Sequence, residues 1–134
     1  MRTPAALFCK IRYLETGRPM VEEKELEEHR KKFDKCRRAF HALGNDARQE
    51  LCMILMMHSS GLRVTDLARR ANLSRSVVSQ HMKILKDAGI AKVRKEGTFI
   101  YYYLDMESSV SDQMMAYFQS VKNILSRMPD RTGE

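Results

Sequence analysis

Ser74, Arg75, Ser76, Ser79, Gln80, His81 and Lys83 fall within one stretch of ten residues. Together they hold the groups that read the edges of DNA bases. Arg bonds guanine through two hydrogen bonds, Gln does the same for adenine, and Ser serves a base or a phosphate. The apolar residues among and beside them, Val77, Val78, Met82 and Leu85, take one side of a helix over roughly Arg75 to Ala88. The polar residues are then left on the outer side, where a groove can reach them. Two later bases, Arg94 and Lys95, suit contact with DNA phosphates. Catalysis is not expected. The serines near His81 share one helix, which makes no triad, and the chain has no phosphate loop, no H-E-x-x-H and no nucleophile elbow.

Charge agrees with a polyanionic partner. The 134 residues carry 24 Lys and Arg against 17 Asp and Glu, a net +7. From Arg63 to Thr98 nine bases meet three acids, a net +6, so about a quarter of the chain holds nearly all of the excess. With 43% apolar residues the chain can form a core. No apolar run reaches the ~18–20 residues of a membrane span, and Ala5 to Cys9 is too short for a signal peptide. Three cysteines, Cys9, Cys36 and Cys52, without close pairing argue against a disulfide scaffold and for a reducing cytoplasm.

The elements that must position these residues are legible from periodicity. No proline interrupts the chain between Pro19 and Pro129. Residues 21–43 predict a long helix, with Leu26, His29, Phe33, Cys36, Phe40 and Leu43 as a narrow apolar seam. Asn45 or Asp46 caps a helix over roughly 46–58, with Ala47, Leu51, Ile54, Leu55 and His58 on one side. Val64 to Ala71 predicts a short helix, Asn72-Leu73-Ser74 a tight turn, and Ser74 the cap of the helix already described. The period then changes. Ile90 to Lys95 and Phe99 to Leu104 read as strands joined by Glu96-Gly97-Thr98. A last helix from about Ser109 to Arg127 carries a second stripe of Val110, Met114, Tyr117, Val121, Ile124 or Leu125, and Met128. Met53, Met56, Met57, Met114 and Met115 at helical spacing read as core rather than as a copper site.

Helix, turn, helix and β-hairpin is the order of a winged helix-turn-helix, mainly α with a small β wing. Three segments also resemble the ArsR/SmtB family of bacterial winged-helix repressors. Phe40-His41-Ala42-Leu43-Gly44-Asn45-Asp46-Ala47-Arg48 resembles its opening signature. Leu73 to Ile90 resembles its recognition helix, and Arg94 to Leu104 its wing. The resemblance spans about residues 25–127. It implies a homodimer joined through the first and last helices, so Leu26, Phe33, Cys36, Phe40, Val110, Met114, Tyr117, Val121 and Ile124 are expected at the dimer interface. It also implies a pseudo-palindromic double-stranded operator, repression, and release by an inducer whose identity the sequence does not give.

The resemblance fails at the metal sites. Where the family's Leu-Cys-Val-Cys-Asp motif stands, this chain reads Leu62-Arg63-Val64-Thr65-Asp66. Both thiols are missing, and Arg63 puts a cation in a soft thiolate's place. The family's last-helix site needs His, and none follows His81. In the wing, Thr98 replaces a frequent base, so the resemblance leaves minor-groove contact to Arg94 and Lys95. No metal and no cofactor are therefore expected. Two alternatives stand beside the repressor: a thiol-based redox or metal sensor using Cys9, Cys36 or Cys52, and a protein-interaction module whose winged helix no longer binds DNA. Expected organisation is an N-terminal extension over 1–19, with Met1 and Met20 as alternative starts, a domain over 20–128 and a tail over 129–134.

Overall fold

The computed structural model describes residues 21–129. Its elements are α1 (Glu23–Leu43), α2 (Asp46–Met56), α3 (Val64–Ala71), α4 (Arg75–Asp87), β1 (Ala91–Glu96), β2 (Phe99–Leu104) and α5 (Ser108–Ser126). The expected extension over 1–19, with Cys9 and the alternative starts, lies outside the described residues, as do residues 130–134. The chain divides into two units. One is Cys36–Asp112, and the other joins residues 21–35 to residues 113–129.

In the unit over 36–112, Leu51 and Leu55 of α2, Leu67 of α3, Val78, Met82 and Leu85 of α4, and Ile90 before β1 are fully buried. Each such side chain contributes about 1.5–3 kcal/mol through removal from water. Polar caps fix where the helices start. The Arg48 amide donates to Asn45 Oδ1 at 3.1 Å, so Asn45 is the α2 cap. The Val77 amide donates to Ser74 Oγ at 3.2 Å at the start of α4. Asn72, with φ 54°, closes α3 in the left-handed conformation. Gly89, at φ 76°, ends α4, and the Ile90 amide returns to the Leu85 carbonyl at 3.0 Å. A Cβ on Gly89 would stand 3.0 Å from Val110 Cγ2.

The hairpin pairs antiparallel from Ala91↔Leu104 to Glu96↔Phe99, leaving Gly97 and Thr98 as the loop. A third segment joins it. Leu62, just before α3, exchanges two backbone hydrogen bonds of 2.8 Å with Tyr102.

In the other unit, the 21–35 part of α1 and the 113–126 part of α5 meet through aromatic rings. The His29 ring stacks on Tyr117 at 5.0 Å between centroids, and Phe33 lies 5.2 Å from the same ring. His29 Nδ1 and Ser120 Oγ are hydrogen-bonded at 2.8 Å, and Arg127 pairs with Glu25.

Two expectations about apolar residues are corrected. Met53, Met56, Met57 and Met115 are exposed, Met57 to 82%, and do not form core. The buried face of α2 is Arg48, Leu51, Cys52 and Leu55, one turn after another, which turns Met53, Met56 and Met57 outward. Val77 is 37% exposed, whereas its neighbour Val78 is fully buried.

Candidate nucleic-acid interface

The helix-turn-helix consists of α3, the Asn72–Ser74 turn and α4. Burial of Val78, Met82 and Leu85 sets the rotation of α4 about its own axis. Ser74, Arg75, Ser76, Val77, Ser79, Gln80 and Lys83 are then exposed. Ser74 Oγ and Ser76 Oγ lie 3.3 Å apart. Arg75, Lys83 and Lys86 form no ion pair among the described residues, so their charge is available to an anion. Val77 is the residue that sequence reasoning misses. An apolar group on the outer side of a reading helix matches the methyl of thymine.

His81 behaves differently from its neighbours. It is half-buried, and its Nδ1 stands 3.4 Å from Arg48 Nη1. Burial first, and the Arg48 charge second, hold its pKa below the usual 6.5. The imidazole is therefore neutral at neutral pH.

The wing bases also divide. Lys95 is exposed and free of ion pairs among the described residues. Arg94 donates from Nε to Glu96 Oε1 at 2.8 Å and from Nη2 to the Ser60 carbonyl at 2.8 Å, and it lies 5.2 Å over the Tyr101 ring. Its side chain ties β1 to the segment before α3. Lys92 pairs with Asp105 at 3.1 Å, and that bond raises its pKa. Arg69 pairs with Asp66 at 3.3 Å. Around the helix-turn-helix and wing, Arg70, Arg75, Lys83, Lys86 and Lys95 are exposed bases with no ion pair among the described residues.

The residues at the motif position do not fit a soft metal. The Arg63 guanidinium carbon lies 4.1 Å from the centroid of the Phe99 ring, a cation–π contact between the start of α3 and the wing. Among the described residues no three His, Cys, Asp or Glu side chains converge as a metal site would need. Cys36 and Cys52 are buried, and burial pushes both thiols up in pKa. A thiolate is the reactive form, so both are held in the unreactive one.

The expected interface stripe is half-buried within the chain itself. Tyr117 is engaged with His29 and Phe33, Val110, Met114, Val121 and Ile124 are half-buried, and Cys36 is fully buried. The exposed apolar residues of α5 are Met115, Phe118 and Leu125. Sequence spacing places Met115 and Phe118 off the main stripe and leaves Leu125 as the alternative to Ile124 on it. Among the described residues no helix is long and apolar enough to cross a membrane.

Known proteins share this arrangement. The family described as "Bacterial regulatory protein, arsR family" matches residues 47–93, from α2 into β1. A cadmium resistance transcriptional regulatory protein of Staphylococcus aureus, a CadC homologue, is 33% identical over 100 residues, covering 75% of this chain and 80% of its own. Reduced HlyU from Vibrio cholerae is 30% identical, with a TM-score of 0.53 over 69% of this chain and 96% of that one. A homodimeric winged helix-turn-helix DNA-binding domain from Mycobacterium bovis, 21% identical, has the same fold with a TM-score of 0.52, covering 74% of this chain and 89% of its own. An exposed, uncommitted reading helix, a wing bridged to the start of α3 and these likenesses converge: the chain belongs to the arsR family of winged helix-turn-helix, DNA-binding transcriptional regulators.

Proposed function

We propose that the chain acts as a homodimeric repressor of a pseudo-palindromic operator, released by an inducer. The observation that carries this reading is the outer side of α4. Ser74, Arg75, Ser76, Ser79, Gln80 and Lys83 are exposed there, and no side chain of the unit covers them. Arg75 and Gln80 read base edges, the serines and Lys83 hold phosphate or base, and Lys95 adds a wing contact. His81 contributes from the border of the helix. Two copies of α4 read two half-sites when they stand about one DNA turn, ~34 Å, apart. The exposed apolar residues Met115, Phe118 and Leu125 support a second copy docking on α5. An inducer acts by favouring a dimer geometry in which the two copies of α4 no longer match that spacing.

The test is binding of the full chain to duplex DNA from its own promoter region, at two salt concentrations, with and without reductant. Tight binding that weakens steeply with salt is the expected result, with a log–log slope of about −0.9 per phosphate contacted. Insensitivity to reductant is also expected, because Cys36 and Cys52 are buried. Binding that responds to oxidation would favour a thiol switch, and no binding in any condition would favour a protein-interaction module.

A further inference from the structure

Arg48 is the buried charged residue of the unit over 36–112, at 7% exposure. No carboxylate partners it among the described residues. Its Nε donates to the Ala42 carbonyl at 2.7 Å and its Nη2 to the His41 carbonyl at 3.2 Å. Both carbonyls lie in the last turn of α1, where backbone acceptors lack partners within the helix and the dipole favours a cation. The remaining arm, Nη1, faces Nδ1 of His81 at 3.4 Å, a long hydrogen bond to α4. One guanidinium therefore spans the end of α1, the first turn of α2 and the reading helix.

The chemistry of the pair is one-sided. A guanidinium has five donors and no acceptor and stays charged. His81 Nδ1 must therefore accept, and the ring's single proton must sit on Nε2. Protonating Nδ1 would replace a hydrogen bond with two cations in contact.

We propose that Arg48 is a positioning residue for DNA reading: it pins α4 to the end of α1 and fixes His81 as the neutral Nε2–H tautomer. His81 then presents a donor, never an acceptor, at the border of the reading helix. Such a donor matches a phosphate oxygen or a purine or thymine acceptor and rejects the amino groups of adenine and cytosine. The inference rests on the DNA-binding role proposed above.

Two measurements on the full chain test it. The first is imidazole nitrogen NMR across a pH titration, without DNA. His81 should show an unprotonated Nδ1, a protonated Nε2 and a pKa below 6.5. In Arg48→Gln the pKa should rise, and in Arg48→Lys, which keeps the charge, it should stay low. The second is the ratio of operator to random-sequence affinity. Arg48→Gln should lower that ratio about tenfold, the scale of one lost charge-assisted hydrogen bond, while leaving the salt slope intact. Arg48→Lys should recover part of the ratio.

An Nδ1–H tautomer in the wild-type protein overturns the proposal. So does a His81 pKa that is the same in wild type and in folded Arg48→Gln, or an unchanged affinity ratio. Should Arg48→Gln fail to fold, the wild-type tautomer and the ratio for His81→Phe, which leaves both carbonyl bonds of Arg48 in place, still decide it. Should the wild-type protein bind no DNA at all, the repressor reading fails and the positioning role fails with it, whatever tautomer the NMR shows.

Discussion

Leu62 and Tyr102 exchange both of their backbone hydrogen bonds, each at 2.8 Å, and so join the start of α3 to the second strand of the wing. Arg63 over Phe99 and Arg94 on the Ser60 carbonyl add two side-chain ties to the same junction. The reading helix and the wing are therefore not independent appendages. A shift of β2 must be felt at the start of the helix-turn-helix.

Gly61 makes that junction possible. Its φ is 94°, and a Cβ there would stand 2.7 Å from the Tyr102 carbonyl oxygen. Gly61→Ala is expected to cost about 1–3 kcal/mol through backbone strain alone. The close contact adds to that cost. Urea denaturation should show a lower midpoint, and hydrogen exchange should show faster exchange of the Leu62 and Tyr102 amides than of the Leu85 region. Unchanged protection at Tyr102 would contradict the junction.

The exposed groups of α4 divide into readers and anchors. Arg75→Ala and Gln80→Ala should each remove about 1–3 kcal/mol of discrimination at one operator position. Lys95→Ala should weaken all duplexes alike and reduce the salt slope by about one contact. Arg94→Ala should differ from both. Two of its donors are engaged by Glu96 and Ser60, so its loss should loosen the wing as well as remove positive charge. Titrations of these variants at several salt concentrations separate the classes.

Val77 provides a chemical probe of orientation. Its exposed methyl groups suit a thymine methyl. Operators carrying uracil in place of single thymines should lose affinity at one position per half-site for the wild-type protein, and Val77→Ala should be indifferent to that exchange. Equal sensitivity of both proteins at every position would place Val77 away from the base edges.

Most elements follow from periodicity. The buried set of α4, Val78, Met82 and Leu85, is where its spacing puts it. What spacing misses depends on partners distant in sequence. Arg48 lies in the core because two carbonyls at the end of α1 and a histidine nitrogen accept its donors there, which no hydropathy pattern reports. Met53 and Met56 look like core but lie opposite the face that α2 buries. The Leu62–Tyr102 bridge joins two segments 40 residues apart, and Leu62 alone carries no strand signal. Arg94 and Lys95 are adjacent bases in sequence, and only the position of Ser60 and Glu96 tells them apart.

Two histidines make stability depend on pH. His29, held by burial first and the Lys32 charge second, and His81, held by burial and Arg48, both have pKa values below 6.5. As pH falls through 6.5, the unfolded chain takes up protons that the native chain refuses. The native state therefore loses stability from about that point downward, until the native histidines protonate in turn. Thermal midpoints should fall between neutral pH and mildly acidic pH. The decline should be shallower in His29→Gln, whose amide can still bond Ser120. A decline as steep as that of wild type in both His29→Gln and His81→Gln would assign the effect to other groups.

The exposed residues of α5 give a prediction about assembly. Met115, Phe118 and Leu125 are exposed apolar groups along one helix, and Phe118 is 53% exposed. If a second copy covers them, Phe118→Glu places a charge in that contact, and an unpaired charge in an apolar interface is strongly unfavourable. Sedimentation should then show a lighter species than wild type, with helical content retained because the side chain is exposed in the single chain. The same variant should bind a half-site duplex as wild type does but lose the gain from a full palindrome, since two tethered reading helices raise each other's effective concentration. A Phe118→Glu protein with wild-type mass and wild-type palindrome affinity would remove α5's exposed side from the interface. The half-buried stripe of Val110, Met114, Val121 and Ile124 would then be the next surface to substitute.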